Sequence, residues 1–222
     1  EPAHPEKRCT RMRIAAHTLY ENPNPYRLQE PEGTLDTSTA TYEQIDPRRV
    51  RVSGSSFETA GRYSVKLEGV KREGHRSIFF AGIRDPGLIS VIDDFVAACR
   101  ARVADETSSL GIDLGSYRLG IRIYGRDAVM GPLETQTSTP HEVGLLVDVI
   151  ADDIDTSRTV LAKARYAFLH TDFAGRKCIS GNLAIPFSPS DFDGGEAYSF
   201  SVWHRMEIDD PLEPFTVEWI NI

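Results

Sequence analysis

Residues 75–103, HRSIFFAGIRDPGLISVIDDFVAACRARV, decide the fold. The opening HRSIFFAGI is nearly continuously apolar and reads as a strand. The period then changes: Leu88, Ile92, Phe95, Val96, Cys99 and Val103 recur at helical spacing and mark one apolar stripe. Asp85 stands where an N-cap belongs, and Pro86 falls at the first helical position, where a missing N–H loses no partner. A strand therefore feeds directly into a helix.

Working outward, SYRLGIRIYG follows the helix as a strand with Tyr117, Leu119, Ile121 and Ile123 inward. HEVGLLVDVIA is apolar at nearly every position, as a strand covered on both faces should be. DDIDTSRTVLAKARYAFLH predicts a second helix, with Val160, Leu161, Ala164, Ala167 and Phe168 on one stripe behind an acidic, cap-rich start. In AYSFSVWHRMEI, Tyr198, Phe200, Val202, His204, Met206 and Ile208 alternate with the other residues, which predicts a closing strand with these on its apolar face. Upstream, RVRVSG and YSVKLEGV alternate as two further strands. Strand-helix-strand thus occurs twice, over 78–124 and 143–206. The expected class is α+β: a mixed, largely antiparallel sheet with two main helices packed on it.

Ahead of this lies a less regular region. RMRIAAHTLYE has helical character, and NPNPY stops it because each proline biases its predecessor away from the helical region. The following LQEPEGTLDTSTATYEQIDP is turn-rich without a sustained period and reads as a long ordered connector. The expected division is residues 1–46 as helix and connector and 47–222 as the α+β domain, with 47–131 and 141–210 as two related halves. One loop, GNLAIPFSPSDFDGG (181–195), is too apolar for a solvated loop, yet its prolines exclude a helix or a central strand. Leu183, Ile185 and Phe187 alternate there, which predicts a short extended run burying all three at an edge.

Composition excludes several functions. The 222 residues carry 25 Lys and Arg against 33 Asp and Glu, a net charge of -8, and the cations are scattered. No footprint for a nucleic-acid backbone exists. Three cysteines, Cys9, Cys99 and Cys178, form no metal-binding or disulfide spacing, so a reducing compartment is expected. No apolar run is long enough for a membrane span, and EPAHPEKRC lacks the features of a signal peptide. A cytoplasmic chain without nucleic-acid or membrane partners is expected. Its start, without Met and rich in Pro and charge, reads as the middle of a longer polypeptide.

No nucleophile elbow, zinc-protease helix or phosphate-cradling loop is present in the sequence. Candidate residues therefore rest on position. Arg84 and Asp85 lie at a strand-to-helix junction, where a guanidinium and helix-start N–H groups would receive a carboxylate or phosphate. A simpler use competes: Asp85 caps the helix and Arg84 pairs locally. His17 and Glu21 share a helix face, but no third ligand follows at a metal-binding interval, so no metal site is expected. His141 opens a buried strand, either facing a pocket or serving as a structural histidine. By period, His204 is a core histidine. Asn182, Ser188, Ser190 and Asp191 either cap nearby backbone groups or touch a ligand, and Asn182, Ser190 and Asp191 in particular would line a cleft shared with residues 17–26, Tyr20 among them.

Longer strings carry a resemblance. AAHTLYENPNPYRLQEPEGTLDTSTATYEQID, VRVSGS, AGIRDP, RIYGRDAVMG and GRKCISGNLAIPFSPSDFDGGEAYSFSVWHRMEI together resemble the later part of the acyclic terpene utilisation protein A family over residues 11–210. HTLYEN and GNLAIPFSPSD are the most specific of these. The resemblance implies a cytoplasmic, bacterial-type protein in the catabolism of branched terpenoid acids as CoA thioesters, with a lyase reaction on a hydroxylated glutaryl-CoA-type intermediate. A small-molecule CoA thioester or carboxylate is the implied ligand, and no cofactor is specified. The family's Gly-rich α/β half precedes such a segment, which implies docking to that half or to another subunit, with a homo-oligomer expected. A lyase needs a base for the hydroxyl proton and a group that stabilises a developing enolate. His17 or His141 is the expected base and Arg84 or Asn182 the expected stabiliser. Asp191 is a further catalytic candidate, with Tyr20, Ser188 and Ser190 as substrate-binding residues.

Overall fold

The computed structural model describes residues 2–20, 22, 24–210, 212–215 and 217–220. Contacts gather the chain into two units, one of residues 1–69 with 201–222 and one of residues 70–200.

In the first unit, helix α1 (Arg11–His17) starts at Thr10, whose hydroxyl accepts from the Arg13 N–H at 3.3 Å. Strands β1 (Arg27–Glu30), β2 (Gly33–Asp36) and β5 (Ser56–Thr59) form an antiparallel three-stranded sheet in the order β1-β2-β5. Strands β3 (Thr41–Asp46) and β4 (Arg49–Ser53) make a separate hairpin. The region expected as a connector thus carries three strands. Those of four residues complete too few alternations to show a period, and turn side chains set them out instead. Asn24 Oδ1 accepts from the Tyr26 N–H at 2.9 Å ahead of β1, and Asp36 Oδ1 accepts from the Ser38 N–H at 2.9 Å after β2.

Strand β6 (Ser64–Ile83) runs for 20 residues where two strands are expected from the sequence. Gly74 does not end it. With φ at +129° this glycine lies against the Ala151 carbonyl, where a Cβ would come within 2.2 Å of the oxygen, so the strand passes through a position no other residue fits.

The second unit completes the α+β architecture. After β6 come the short α2 (Pro86–Ser90), α3 (Ile92–Ser109), β7 (Tyr117–Tyr124), β8 (Val143–Ala151), α4 (Ile154–His170) and β9 (Asp191–Glu207). The single helix expected after Asp85 is divided at Val91, which lets the adjacent pair Leu88 and Ile89 be buried along with Ile92. The sheet order is β7-β8-β6-β9, with β8 antiparallel to both β6 and β7. Across β6 and β9, Arg72 pairs with Glu196 at 3.0 Å and His75 with Asp193 at 2.7 Å, so numbers rise on one strand as they fall on the other. This βαββαβ connectivity is the ferredoxin-like split βαβ.

Helices α3 and α4 cover one face. The α4 stripe of Val160, Leu161, Ala164, Ala167 and Phe168 is fully buried, together with Phe79, Leu145, Val147 and Val149 from the sheet. Phe168 meets Phe79 and Phe95 edge-on, with ring centroids 6.4 and 5.8 Å apart. At about 1.5–3 kcal/mol for each large apolar side chain buried, this layer is the main stabilising term of the unit. It draws no residue from β9. The expected apolar face of that strand is uncovered over most of its length: Tyr198, Phe200, Val202 and His204 are exposed, Met206 is half-buried, and Ile208, just past the strand, is buried as expected, while Ala197 on the alternate face is buried.

Among the described residues, no helix of this core lies on the opposite face of the sheet. Register sets its rows: Tyr124 beside Gly144 and Gly82, Arg122 beside Leu146 and Phe80, Gly120 beside Asp148 and Ile78, and Arg118 beside Ile150 and Arg76.

The 181–195 loop has a definite use. Ala184 makes a two-way bridge to Gly82, each N–H donating to the other's carbonyl at 2.8 Å, and Leu183 and Ile185 pack against the core. Phe187, expected to be buried, is exposed and meets the Phe192 ring edge-on at 5.6 Å. From Asp191 onward the stretch is already β9.

Candidate functional site

In the first unit, the chain leaving α1 turns through hydrogen bonds from the Tyr20 N–H to the His17 carbonyl (3.1 Å) and from the Asn22 N–H to the Leu19 carbonyl (3.3 Å). Asn24 Oδ1 then takes the N–H groups of Tyr26 and Arg27, which aims β1. The described residues 17–20, 22 and 24–26 follow this path because the asparagines replace helical partners with side-chain ones. It borders a cleft of about 530 Å³ lined by Tyr20, Asn22, Asn24, Arg27, Lys66 and Trp203, with Leu28, Gln29 and Glu30 along β1.

The chemistry of this lining is specific. Two aromatic rings, Tyr20 and Trp203, are more than half exposed. Three amides (Asn22, Asn24 and Gln29), two cations and one carboxylate, Glu30, accompany them. Arg27 faces Glu58 at 3.7 Å and Lys66 meets Glu68 at 2.5 Å, both pairs well solvated. Ion pairs in such surroundings contribute little, so an incoming anion can compete for the cations. His17 stands one ring away, its imidazole nearly parallel to Tyr20 with centroids 5.9 Å apart. A cleft of this kind can take a ligand that combines negative charge, amide groups and a flat ring.

The eight expected site residues divide between the units. His17 and Tyr20 belong to the first and touch each other. Glu21, considered with His17, lies outside the described residues. Arg84, His141, Asn182, Ser188, Ser190 and Asp191 belong to the second. Arg84, His141 and Ser188 are exposed. Asp85 caps α2, accepting from the Leu88 N–H at 2.9 Å. Asn182 is buried and donates its amide to the carbonyls of Phe168 (3.1 Å) and Thr171 (2.8 Å), closing the end of α4. Asp191 accepts from Arg165 Nε at 2.8 Å and from the Ser190 hydroxyl at 2.9 Å. Among these, hydrogen bonding joins Ser190 with Asp191.

Arg27, Lys66 and Trp203 are not among the expected residues. Lys66 and Trp203 sit in plain alternating strands, and alternation separates two faces without saying which one borders a cleft. Asn22 and Asn24 do carry a signal, since NPNPY is an irregular string whose turns need just such side chains. Elsewhere, burial pushes the Cys99 thiol up to about 11, so it stays protonated in the core. Among the described residues, no cluster of three or more His, Cys, Asp and Glu side chains is arranged to hold a metal ion.

A family profile, described as acyclic terpene utilisation family protein AtuA, matches residues 2–185. The chain belongs to the acyclic terpene utilisation family. Comparison with curated proteins and with solved structures gives no match. Within the family match lie the whole of residues 17–30, Lys66, Arg84, His141 and Asn182; Ser188, Ser190, Asp191 and Trp203 follow it. The acyclic terpene utilisation profile thus contains the cleft segment and the start of the 181–195 loop. No helix among the described residues is long and apolar enough to cross a membrane.

Proposed function

We propose that this member of the acyclic terpene utilisation family contributes a binding wall for a CoA-linked or carboxylate substrate in the catabolism of branched terpenoid acids. The observation that carries the reading is the joint lining of the 530 Å³ cleft: Arg27 and Lys66 for phosphate or carboxylate, Asn22 and Asn24 for amide groups, and the rings of Tyr20 and Trp203 for a planar base. CoA presents these three chemistries on one molecule. The reaction proposed is a lyase step on a hydroxyacyl-CoA. A base takes the hydroxyl proton, the carbon–carbon bond breaks as the carbonyl forms, and the electron pair passes to the carbon beside the thioester as an enolate that is then protonated. His17, stacked on Tyr20 of the lining, is the base proposed for this step, and Arg27 of the lining is the cation proposed to stabilise the enolate. Asn182 is less suited to that role because both its donated hydrogen bonds already serve α4.

A second reading, an assembly module, has its own support. In the second unit, β9 is an edge strand, and Tyr198 and Phe200 are 55 and 59% exposed on it. An uncovered edge of this kind pairs readily with another chain, a second copy included. One experiment addresses both readings: incubation with a panel of branched hydroxyacyl-CoA thioesters followed by mass spectrometry, with light scattering on the same sample. Cleavage products that vanish in His17→Ala support the enzyme. Absence of turnover across the panel contradicts it, and a monodisperse monomer at high concentration contradicts self-assembly.

A further inference from the structure

The open face of the second unit's sheet contains a charge arrangement that the core does not require. Asp148 lies in the middle of the central strand β8 with its side chain 9% exposed, and a carboxylate so placed must be paired. Arg122 supplies that pair, its Nη1 donating to Oδ1 at 2.6 Å. One guanidinium would suffice. A second, Arg76, approaches from the other side with Nε 3.4 Å from Oδ2, and this buried nitrogen donates no hydrogen bond. Also on this sheet, Arg118 and Glu73 pair with each other at 3.3 Å, and Asp127, which shares a pocket lining with Arg122, is paired with Arg126 at 3.1 Å. Two guanidiniums thus converge on one carboxylate, leaving a surplus positive charge, while their side chains remain 38% (Arg76) and 47% (Arg122) exposed.

The backbone is arranged to permit this. Gly120 faces Asp148 across the β7–β8 pairing, and a Cβ there would come within 2.2 Å of Oδ1. Leu146 and Phe80 continue the same face in the next row, with Phe80 37% exposed. An oxyanion meeting both guanidiniums would neutralise the surplus charge, and arginine's planar fork matches carboxylate and phosphate oxygens.

We propose that this face is an oxyanion-binding site, in which Arg76 and Arg122, held by Asp148, receive the carboxylate or phosphate of a ligand whose apolar part lies over Leu146 and Phe80. The site is separate from the cleft in the first unit and does not depend on the function proposed for it.

Calorimetric titration of the whole protein with octanoate and, separately, with inorganic phosphate tests it. With the anion site of the first unit's cleft disabled by Arg27→Gln, saturable binding of at least one probe is still expected, weakened about tenfold or more when either Arg76→Gln or Arg122→Gln is added. Phe80→Ala distinguishes the ligand sources: it weakens binding of a carboxylate on an apolar chain and leaves phosphate binding as it was. Circular dichroism melts check that the variants fold. Should either arginine variant fail to fold, Arg76→Lys, which keeps the charge and loses the fork, serves in its place and is expected to bind more weakly than the parent. In that background, saturation by neither probe, or binding indifferent to both Arg76→Gln and Arg122→Gln, overturns the proposal.

Discussion

Asn182 shows at the scale of one residue how a polar side chain in an irregular loop can be structural. Its amide closes two carbonyls at the end of α4, and it is 5% exposed. Replacing it by Ala leaves those carbonyls without donors in a place water reaches poorly. A loss of about 1–3 kcal/mol is expected from urea denaturation, with CoA binding to the cleft unchanged. An unaltered midpoint would contradict the role. The sequence offers both the local and the ligand use of this residue and cannot choose, because the choice depends on what the folded helix end leaves unsatisfied. Asp85 is legible in a way Asn182 is not: its cap partner is three residues away in sequence, whereas the partners of Asn182 are 14 and 11 residues away.

At the scale of elements, legibility follows the length of the periodic signal. The stripe of α4 spans a 17-residue helix and is buried at each position expected from its spacing. β8 is apolar on both faces and proves to be central, as that composition requires. The β1-β2-β5 sheet escapes because four residues leave no period to read. The exposed aromatics of β9 escape for another reason: alternation identifies a face, but which face the helices cover is a tertiary fact. The start of α4 also carries a pH dependence. Asp153 accepts from the Thr156 N–H and hydroxyl, both at 2.8 Å, and these bonds hold its carboxyl below the usual range. Folding therefore favours the ionised form. Its contribution is complete above the unfolded-state value of about 3.9 and is lost as pH falls through the lower folded-state value. Asp153→Asn keeps a capping oxygen but removes the titration, so its stability should fall less steeply below pH ~4 in denaturation at stepped pH. An acid limb identical to that of the parent would show that Asp153 does not contribute to it.

At the scale of the molecule, the family resemblance visible in long irregular strings agrees with the profile match over residues 2–185. The irregular parts of those strings make particular contacts, as where Asn24 holds the turn ahead of β1, Asp85 caps α2 and Ala184 bridges to Gly82. They are therefore legible as signatures while saying little about shape. What they frame in the first unit is a cleft with two cations, three amides, one carboxylate and two aromatic rings, the basis of the function proposed above. The most direct test is a titration of the whole protein with CoA, followed by tryptophan fluorescence and calorimetry, in the parent, Trp203→Phe and Arg27→Gln. The expected result is saturable binding that quenches fluorescence, with the quench much reduced in Trp203→Phe and the affinity lowered about tenfold or more in Arg27→Gln. Binding that is absent, or that neither substitution alters, would contradict the proposed role of the cleft.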